Sequence, residues 1–509
     1  MRIRNVFLIL IVVAYGCSSS EDRFPPIGED YCSQLTPVHF DALSAQLDGI
    51  PDSLLSKTGV YLLEEGDVSM EFRAWLCESA RQSIDVQYFI FSSDNVGLIA
   101  VDYLLRAADR GVKVRLIVDD FMVEADADEL LALDSHPNLS IKIYNPSANI
   151  GKTLPRKFLS LAGDFKGFNQ RMHNKTFIVD GRAVITGGRN IADEYFDYDH
   201  EYNFRDRDVL LLGKATTDIA ESFSLFWESD LSVHIANLVS EDSAEIDAEA
   251  KFEYLHQYAC SPMNFWPEVR DKINSAPQRF QKLLQSGEFV WVDNFTFVSD
   301  LPGKNENEDL QGGGLTTDAL IGLINEARKS IYIQSPYFVT TDLSQGLFKK
   351  AIDRGVQIKV LTNSLTATDN LEAFSGYRRE RKKLLEIGVD VFEFRPDAAI
   401  RFKRMTGALQ KKTGFNPIFG LHAKSMVVDE AVSVVGTFNL DPRSANLNTE
   451  CVCIIRDPIV SEKLFKVMAE ELKPQNAWHV SKDYNPDKEA GTGKRIKVWF
   501  RGIVPKSIL

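Results

Sequence analysis

The chain has 509 residues, 44% of them hydrophobic and 26% charged, enough apolar surface for two or more full cores and too much for a disordered protein. No run of 18 apolar residues occurs, which excludes a multi-span membrane protein. Lys and Arg total 58 against 72 Asp and Glu, a net charge of −14, so a protein that grips nucleic acid along its whole surface is disfavoured.

Arg2 and Arg4 precede an apolar run, Val6 to Val13, that is too short to span a bilayer and reads as a targeting segment. Ala14-Tyr15-Gly16-Cys17 follows and resembles a bacterial lipoprotein signal, in which Cys17 is lipidated and becomes the new N-terminus. That resemblance implies a membrane-anchored lipoprotein of the cell envelope facing the periplasm, with Ser18 favouring the outer membrane; an ordinary cleaved signal with a free Cys17 is the alternative. Residues 18–55, with Pro25, Pro26 and Gly28, read as a tether.

From residue 56 the chain alternates helix and strand, and it does so twice. A helix around Glu71 to Ser83 leads to a strand Ile84 to Phe89; a helix from Val96 to Arg110 stops at Gly111 before a strand Val112 to Val118. Ala80-Arg-Gln-Ser-Ile84 returns as Ala327-Arg-Lys-Ser-Ile331 at an offset of 247, and Asp109-Arg-Gly111 as Asp353-Arg-Gly355 at 244. The strands ending at Pro146 and Pro396 lie 250 apart, and His173 and His422 lie 249 apart. The near-constant spacing marks an internal duplication. Each copy is expected to fold as an α/β sandwich, the first over 56–235 and the second over 311–470, with a connector over 236–310 and a C-terminal tail over 471–509. Cys77, Cys451 and Cys453 are expected in the core; Cys32 and Cys260 are left open as a pair, and no Cys/His cluster has metal-ligand spacing.

The chemistry falls at matched places. Both copies carry H-x-K-x4-D-x6-G-x2-N: His173, Lys175, Asp180, Gly187 and Asn190, then His422, Lys424, Asp429, Gly436 and Asn439. A His and a Lys two apart in extended chain project from one face, so imidazole and ammonium can reach one phosphate. Asp180-Gly181 has hairpin-turn chemistry, which makes Asp180 and Asp429 structural members of the motif. Asn190 and Asn439 can donate amide hydrogens to a phosphoryl oxygen.

Two such motifs resemble the phospholipase D superfamily, over essentially residues 60–500. The stretches Asn169 to Phe196, Ile333 to Phe338, Leu361 to Asp369 and Gly436 to Glu450 look like bacterial cardiolipin synthases of the C type. The resemblance implies two lobes facing each other across a pseudo-two-fold axis and sharing one active site. One His would attack phosphorus and the other protonate the leaving alcohol, with both Lys and both Asn on the phosphate and no metal or cofactor. It further implies a carboxylate behind each His: Glu450 behind His422, and Asp208, with Asp206 as its rival, as the first copy's counterpart. Gly188 stands where a small hydroxyl residue is usual, whereas Thr437 keeps it. The function implied is a phosphatidyltransferase acting on phosphatidylglycerol, with phosphatidylethanolamine a candidate second lipid; a hydrolytic phospholipase D is the alternative and a secreted nuclease a third reading.

Basic residues interleaved with apolar ones precede both motifs: Lys152, Arg156, Lys157 and Lys166 with Phe158, Phe165 and Phe168, then Arg401, Lys403, Arg404, Lys411 and Lys412 with Phe402 and Phe415. With the cluster Arg378 to Lys383 and the tail Lys494 to Arg501, these are expected to contact an anionic phospholipid membrane, Arg401, Lys403 and Arg404 foremost. No nucleic-acid partner is expected, and no accessory protein is identifiable.

Overall fold

The computed structural model describes residues 29–123, 127–146, 170–239, 247–304, 312–405 and 416–502. Cys17, the basic stretch 152–169 and Lys411, Lys412 and Phe415 lie outside them.

The duplication becomes two sheets. The first lobe contributes β1 (Thr58–Leu63), β2 (Ser83–Phe91), β3 (Lys113–Val123), β4 (Leu139–Tyr144), β5 (Thr176–Val179), β6 (Ala183–Gly187), β7 (Tyr202–Arg205), β8 (Asp208–Gly213) and β9 (Ser232–His234). After β10 (Val290–Val292), the second contributes β11 (Phe295–Ser299), β12 (Ser330–Gln334), β13 (Gln357–Asn363), β14 (Asp390–Phe394), β15 (Ile418–Leu421), β16 (Ser425–Val428), β17 (Val432–Gly436), β18 (Cys451–Ile455) and β19 (Ala477–His479). The first sheet runs β10-β1-β8-β6-β5-β2-β3-β4-β9 and the second β11-β18-β17-β16-β12-β13-β14-β19, the same order with one strand fewer. In each, three parallel strands are flanked by an antiparallel motif hairpin.

Local sequence explains the matched ends. Asp94 caps the helix Asn95–Asp109 by accepting from Gly97 N–H at 2.9 Å, and Thr341 caps Asp342–Asp353 in a reciprocal box with Ser344. Gly111 and Gly355 follow these helices at φ +90° and +91°, where a side chain would be strained.

The expected boundaries need correction. The connector is no linker: Leu255, Phe265, Ile273, Phe280 and Phe289 are buried in the first lobe's core, β10 extends the first sheet and β11 opens the second. The tail supplies β19 to the second sheet and packs a helix, Thr492–Arg501, on Leu371–Ile387. Part of the tether is core as well, since Phe40, Leu43, Leu47 and Ile50 are buried against the first lobe, and Cys32 is disulfide-bonded to Cys260. Cys77, Cys451 and Cys453 are buried and free.

The two lobes share one apolar layer. Val60, Ile178, Val184 and Leu211 of the first sheet pack with Val427, Val435, Cys453 and Ile455 of the second, together with Phe223 and Leu464 from the helices Ala215–Glu228 and Pro458–Glu471. A buried ionic network also joins the lobes. Arg205 pairs with Glu64 and Glu471; Arg207 donates to Glu64 at 2.8 Å, Gln334 at 2.9 Å and Ser425 at 2.7 Å. Charges this deeply buried hold together only as a set, which fixes one docking of the lobes.

Candidate active site

Each motif begins three residues before a hairpin. Residues 173–175 and 422–424 lead directly into β5 and β16, whose four residues are all buried and anchor the approach. Asp180 and Asp429 close the hairpins in left-handed conformation, at φ +51° and +53°. Their carboxylates accept backbone N–H groups from Arg81, Gln82 and Ser83 and from Arg328, Lys329 and Ser330, at 2.7–3.2 Å. Each therefore ties its motif hairpin to the start of the neighbouring strand, β2 or β12.

Backbone pairing between the lobes brings the two histidines and the two carboxylates together. β15 runs parallel to β7, with Leu421 opposite Arg205, so the next residues, His422 and Asp206, lie side by side. In the mirror arrangement Met172 bridges Thr449 in parallel, and His173 meets Glu450. His422 Nδ1–H donates to Asp206 Oδ2 at 2.6 Å, and His173 Nδ1–H donates to Glu450 Oε2 at 2.8 Å. Each histidine is thus oriented by a carboxylate from the opposite lobe, leaving Nε2 as the ring atom for a substrate.

Two expectations are corrected here. Glu450 stands behind His173, not His422. The first lobe's carboxylate is Asp206, not Asp208, and sheet register gives the reason. Gly187 pairs with Asp208 as Gly436 pairs with Val452, so Asp208 is the counterpart of a core valine and Asp206 of Glu450. Asp208 is buried against Arg73 at 3.0 Å and Ser69 at 2.7 Å, a structural ion pair.

The departure at Gly188 has a steric cause. A Cβ there would lie 2.1 Å from Asp206 Oδ1, so the shorter carboxylate occupies the space of the missing side chain. On the other side Thr437 is retained and donates its hydroxyl to Glu450 Oε2.

The site is buried, with two lysines set against two carboxylates. His173, Lys175, His422 and Lys424 are all buried. Lys175 Nζ donates to the His173 carbonyl at 2.8 Å; Lys424 Nζ donates to the His422 carbonyl at 2.7 Å and lies against that ring, 2.8 Å from Nδ1 and 3.0 Å from Nε2. Burial pushes His173 down to about 4 and His422 down to about 3, with both lysine charges acting in the same direction against the carboxylates. Burial also brings Lys175 down to about 7, reinforced by Lys424, and Lys424 to about 8. Burial opposes ionisation of Asp206 and Glu450, yet the facing histidines and lysines keep both below their ordinary range.

Aromatic rings wall the two histidines differently. Phe89 meets His173 edge-on at 5.2 Å, whereas Tyr195, Phe204 and Tyr337 surround His422 at 5.1, 4.7 and 6.3 Å. Asn190 is engaged in holding this wall: its Oδ1 accepts Ile90 N–H at 3.1 Å and its Nδ2 donates to Tyr195 Oη at 2.8 Å. Asn439 is less committed, with Oδ1 buried and unpartnered among the described residues. Sequence reasoning passed over Arg205, Arg207, Glu64 and Glu471, although the alternation Arg205-Asp206-Arg207 beside a motif was a visible signal of a buried charged strand.

Arg404, expected at a membrane, is instead buried and paired with Glu65. Its neighbours Phe402 and Lys403 are exposed, and Arg401 covers the Phe402 ring at 4.9 Å. The cluster Arg378 to Lys383 is largely structural too: Arg381 is buried between Glu393 and Asp487, Arg378 pairs with Asp487, and Lys383 with Asp342.

Two lobes of repeated topology with two histidine–lysine motifs meeting at one buried site define a phospholipase D-type enzyme. The family model for the cardiolipin synthase, PLD-like domain matches residues 76–227 and 320–473, and the chain belongs to this family within the phospholipase D superfamily. It is 31% identical over 470 residues to cardiolipin synthase C of Escherichia coli, covering 88% of this chain and 95% of that protein. It is also 31% identical over 482 residues to an uncharacterized Helicobacter pylori protein, covering 94% and 91%. Phosphatidylserine synthase of Haemophilus influenzae shares the fold, with a TM-score of 0.58 at 13% identity over 90% of this chain and 98% of that one.

Proposed function

We propose that the protein is a phosphatidyltransferase that moves a phosphatidyl group onto phosphatidylglycerol to form cardiolipin, through a phosphohistidine intermediate. The carrying observation is the exchange of carboxylates, which makes each histidine competent only when both lobes contribute. In this reading Nε2 of one histidine attacks the donor phosphorus while the other, as imidazolium, gives its proton to the departing alcohol oxygen as the P–O bond breaks. That second histidine, now neutral, takes the proton of the incoming glycerol hydroxyl; its oxygen attacks phosphorus, the P–N bond breaks and the phosphodiester is restored. Lys175 and Lys424 balance the charge on the equatorial oxygens; the Asn439 amide can donate a hydrogen bond to one of them, and Asn190 can do so with the N–H it does not give to Tyr195.

The depressed histidine values suit this cycle. An arriving phosphodiester anion offsets the two lysine charges, offers Lys424 Nζ a better acceptor than the imidazole, and raises the histidines toward the range where one can hold the proton. The likeness in sequence to cardiolipin synthase C supports transfer over hydrolysis, and phosphatidylethanolamine is the second candidate donor. The cell-envelope location, with Cys17 lipidated, belongs to the same reading; among the described residues no helix is long and apolar enough to cross a membrane. Incubating purified protein with phosphatidylglycerol and analysing products by mass spectrometry tests it. Cardiolipin is the expected product; phosphatidic acid alone establishes the hydrolase instead.

A further inference from the structure

The C-terminal helix Thr492–Arg501 buries only Val498 and half-buries Lys494 against the second lobe. Its large apolar residues point the other way. Ile496, Trp499 and Phe500 are 53%, 68% and 58% exposed. At helical spacing the three fall within an arc of about 100° on the face away from Val498. Trp499 and Phe500 touch edge-to-face at 5.0 Å, forming a short ridge. Arg495 and Lys497 flank it, and neither has an ion-pair partner among the described residues.

A second feature adjoins the ridge. A cleft of about 550 Å³ between this helix, the helix Leu371–Ile387 and residues 480–488 is lined by Arg378, Arg381, Lys382, Lys482, Lys488 and Arg495. Only two carboxylates line it, Glu386 and Asp487, and both are already paired, with Lys382 and with Arg378 and Arg381. Lys482, Lys488 and Arg495 have no ion-pair partner among the described residues, Lys488 lying over the Tyr484 ring at 5.0 Å, in a protein whose net charge is −14.

We propose that the ridge and the cleft together seat the protein on an anionic phospholipid bilayer, the rings entering the headgroup boundary and the cleft holding lipid phosphates. Charge and shape both select this occupant. Clustered Lys and Arg beside exposed Trp, Phe and Ile is the chemistry of an interfacial helix on an anionic leaflet. Three side chains supply far less than the roughly 800 Å² per partner of a stable protein interface. The helix is also tied to the rim of the site: Lys494 Nζ donates to the carbonyls of Thr366 and Thr368 at 3.2 and 2.9 Å. The next residue, Asp369, accepts from Tyr337 Oη at 2.6 Å, beside His422. A bilayer under this helix therefore lies beside the loop that walls the catalytic histidine. The inference rests on the reading that the substrates are phospholipids.

The test uses the full chain with Cys17→Ala, so that no acyl chain contributes, in sedimentation with phosphatidylglycerol–phosphatidylcholine and pure phosphatidylcholine vesicles. The parent should bind the mixed vesicles preferentially. Trp499→Ser with Phe500→Ser should weaken that binding by about tenfold or more, and Lys482→Glu with Arg495→Glu should remove the preference for the anionic lipid. Both pairs should keep turnover on a soluble short-chain phosphodiester. In a second measurement, brominated lipids should quench tryptophan emission of the parent more than that of Trp499→Phe. Unchanged binding in both pairs, equal quenching, or a parent that binds neither vesicle overturns the seat. Vesicle binding without phosphatidyl transfer would defeat the proposed function and leave the seat standing.

Discussion

Asp206 and Asp208 stand two residues apart, both fully buried, and the structure gives them opposite consequences when each is changed to Asn. Asp206 faces His422 at 2.6 Å, and an amide there keeps the shape but neither fixes the tautomer nor supports an imidazolium. A loss in kcat of about 10²–10⁴-fold is expected, about 3–5 kcal/mol of transition-state stabilisation. Asp208 faces the buried Arg73 at 3.0 Å and also accepts Arg189 N–H at 3.2 Å. Its neutralisation leaves a buried guanidinium uncompensated, which costs about 3–5 kcal/mol of stability. Urea midpoints and steady-state transfer on mixed micelles separate the two. Asp206→Asn should unfold near the parent midpoint and turn over slowly, whereas Asp208→Asn should lose stability while its folded fraction keeps most of its kcat. A stable but inactive Asp208→Asn beside an active Asp206→Asn would refute the register argument.

His173→Asn and His422→Asn should each lower turnover by about three or more orders of magnitude, and the double variant should be scarcely worse, because the two act as a unit; half-activity on losing one would mean two independent sites. Gly188→Ala should reduce kcat by about tenfold or more by displacing Asp206; parent-like kinetics would show that Asp206 has room to spare. Lys175 and Lys424 are brought down to about 7 and 8 by burial, so both are charged below these values and neutral above them. The free-enzyme profile, kcat/KM, should therefore fall more steeply as pH rises through about 7–8, and the kcat profile should do so only at higher pH, since bound phosphate favours the charged lysines. A kcat/KM flat to pH 9 would remove the lysines from that role.

Much of the fold was legible because it is local and written twice. The strand Cys451–Ile455, the glycine stops at 111 and 355 and the motif hairpins depend on neighbours in sequence, and the duplication offset paired them before any contact was known. The helix expected at Glu71 to Ser83 lies earlier, at Gly66–Ser79, because its faces are both buried and give no clean periodicity; Glu71 and Arg73 are inside, paired with Arg279 and Asp208. Partners distant in sequence account for the other differences. Arg381 looked like a surface charge until Glu393 and Asp487 came into view, and Arg404 until Glu65 did.

The carboxylates show where reading along the chain stops being sufficient. Counting from Asn190 reached Asp208 and counting from Asn439 reached Glu450, but equivalence in a sheet is set by the strand across, where Asp208 meets Gly187 and Val452 meets Gly436. Within one lobe, Asp206 and Glu450 have no histidine to serve. They acquire one because the segment before each carboxylate pairs in parallel with the segment before the other lobe's histidine, Arg205 with Leu421 and Thr449 with Met172. The duplication supplies two half-sites, and the inter-lobe backbone bonds complete both in one step: His422 N–H to the Arg205 carbonyl at 2.8 Å, His173 N–H to that of Thr449 at 2.9 Å. A change that loosens the docking, such as Glu471→Gln in the Arg205 network, should therefore lower turnover without touching any group that meets phosphorus. It should also disturb both histidine–carboxylate pairs together, a coupling readable as paired shifts of the two Nδ1–H resonances; movement of one resonance alone would mean that the half-sites close independently.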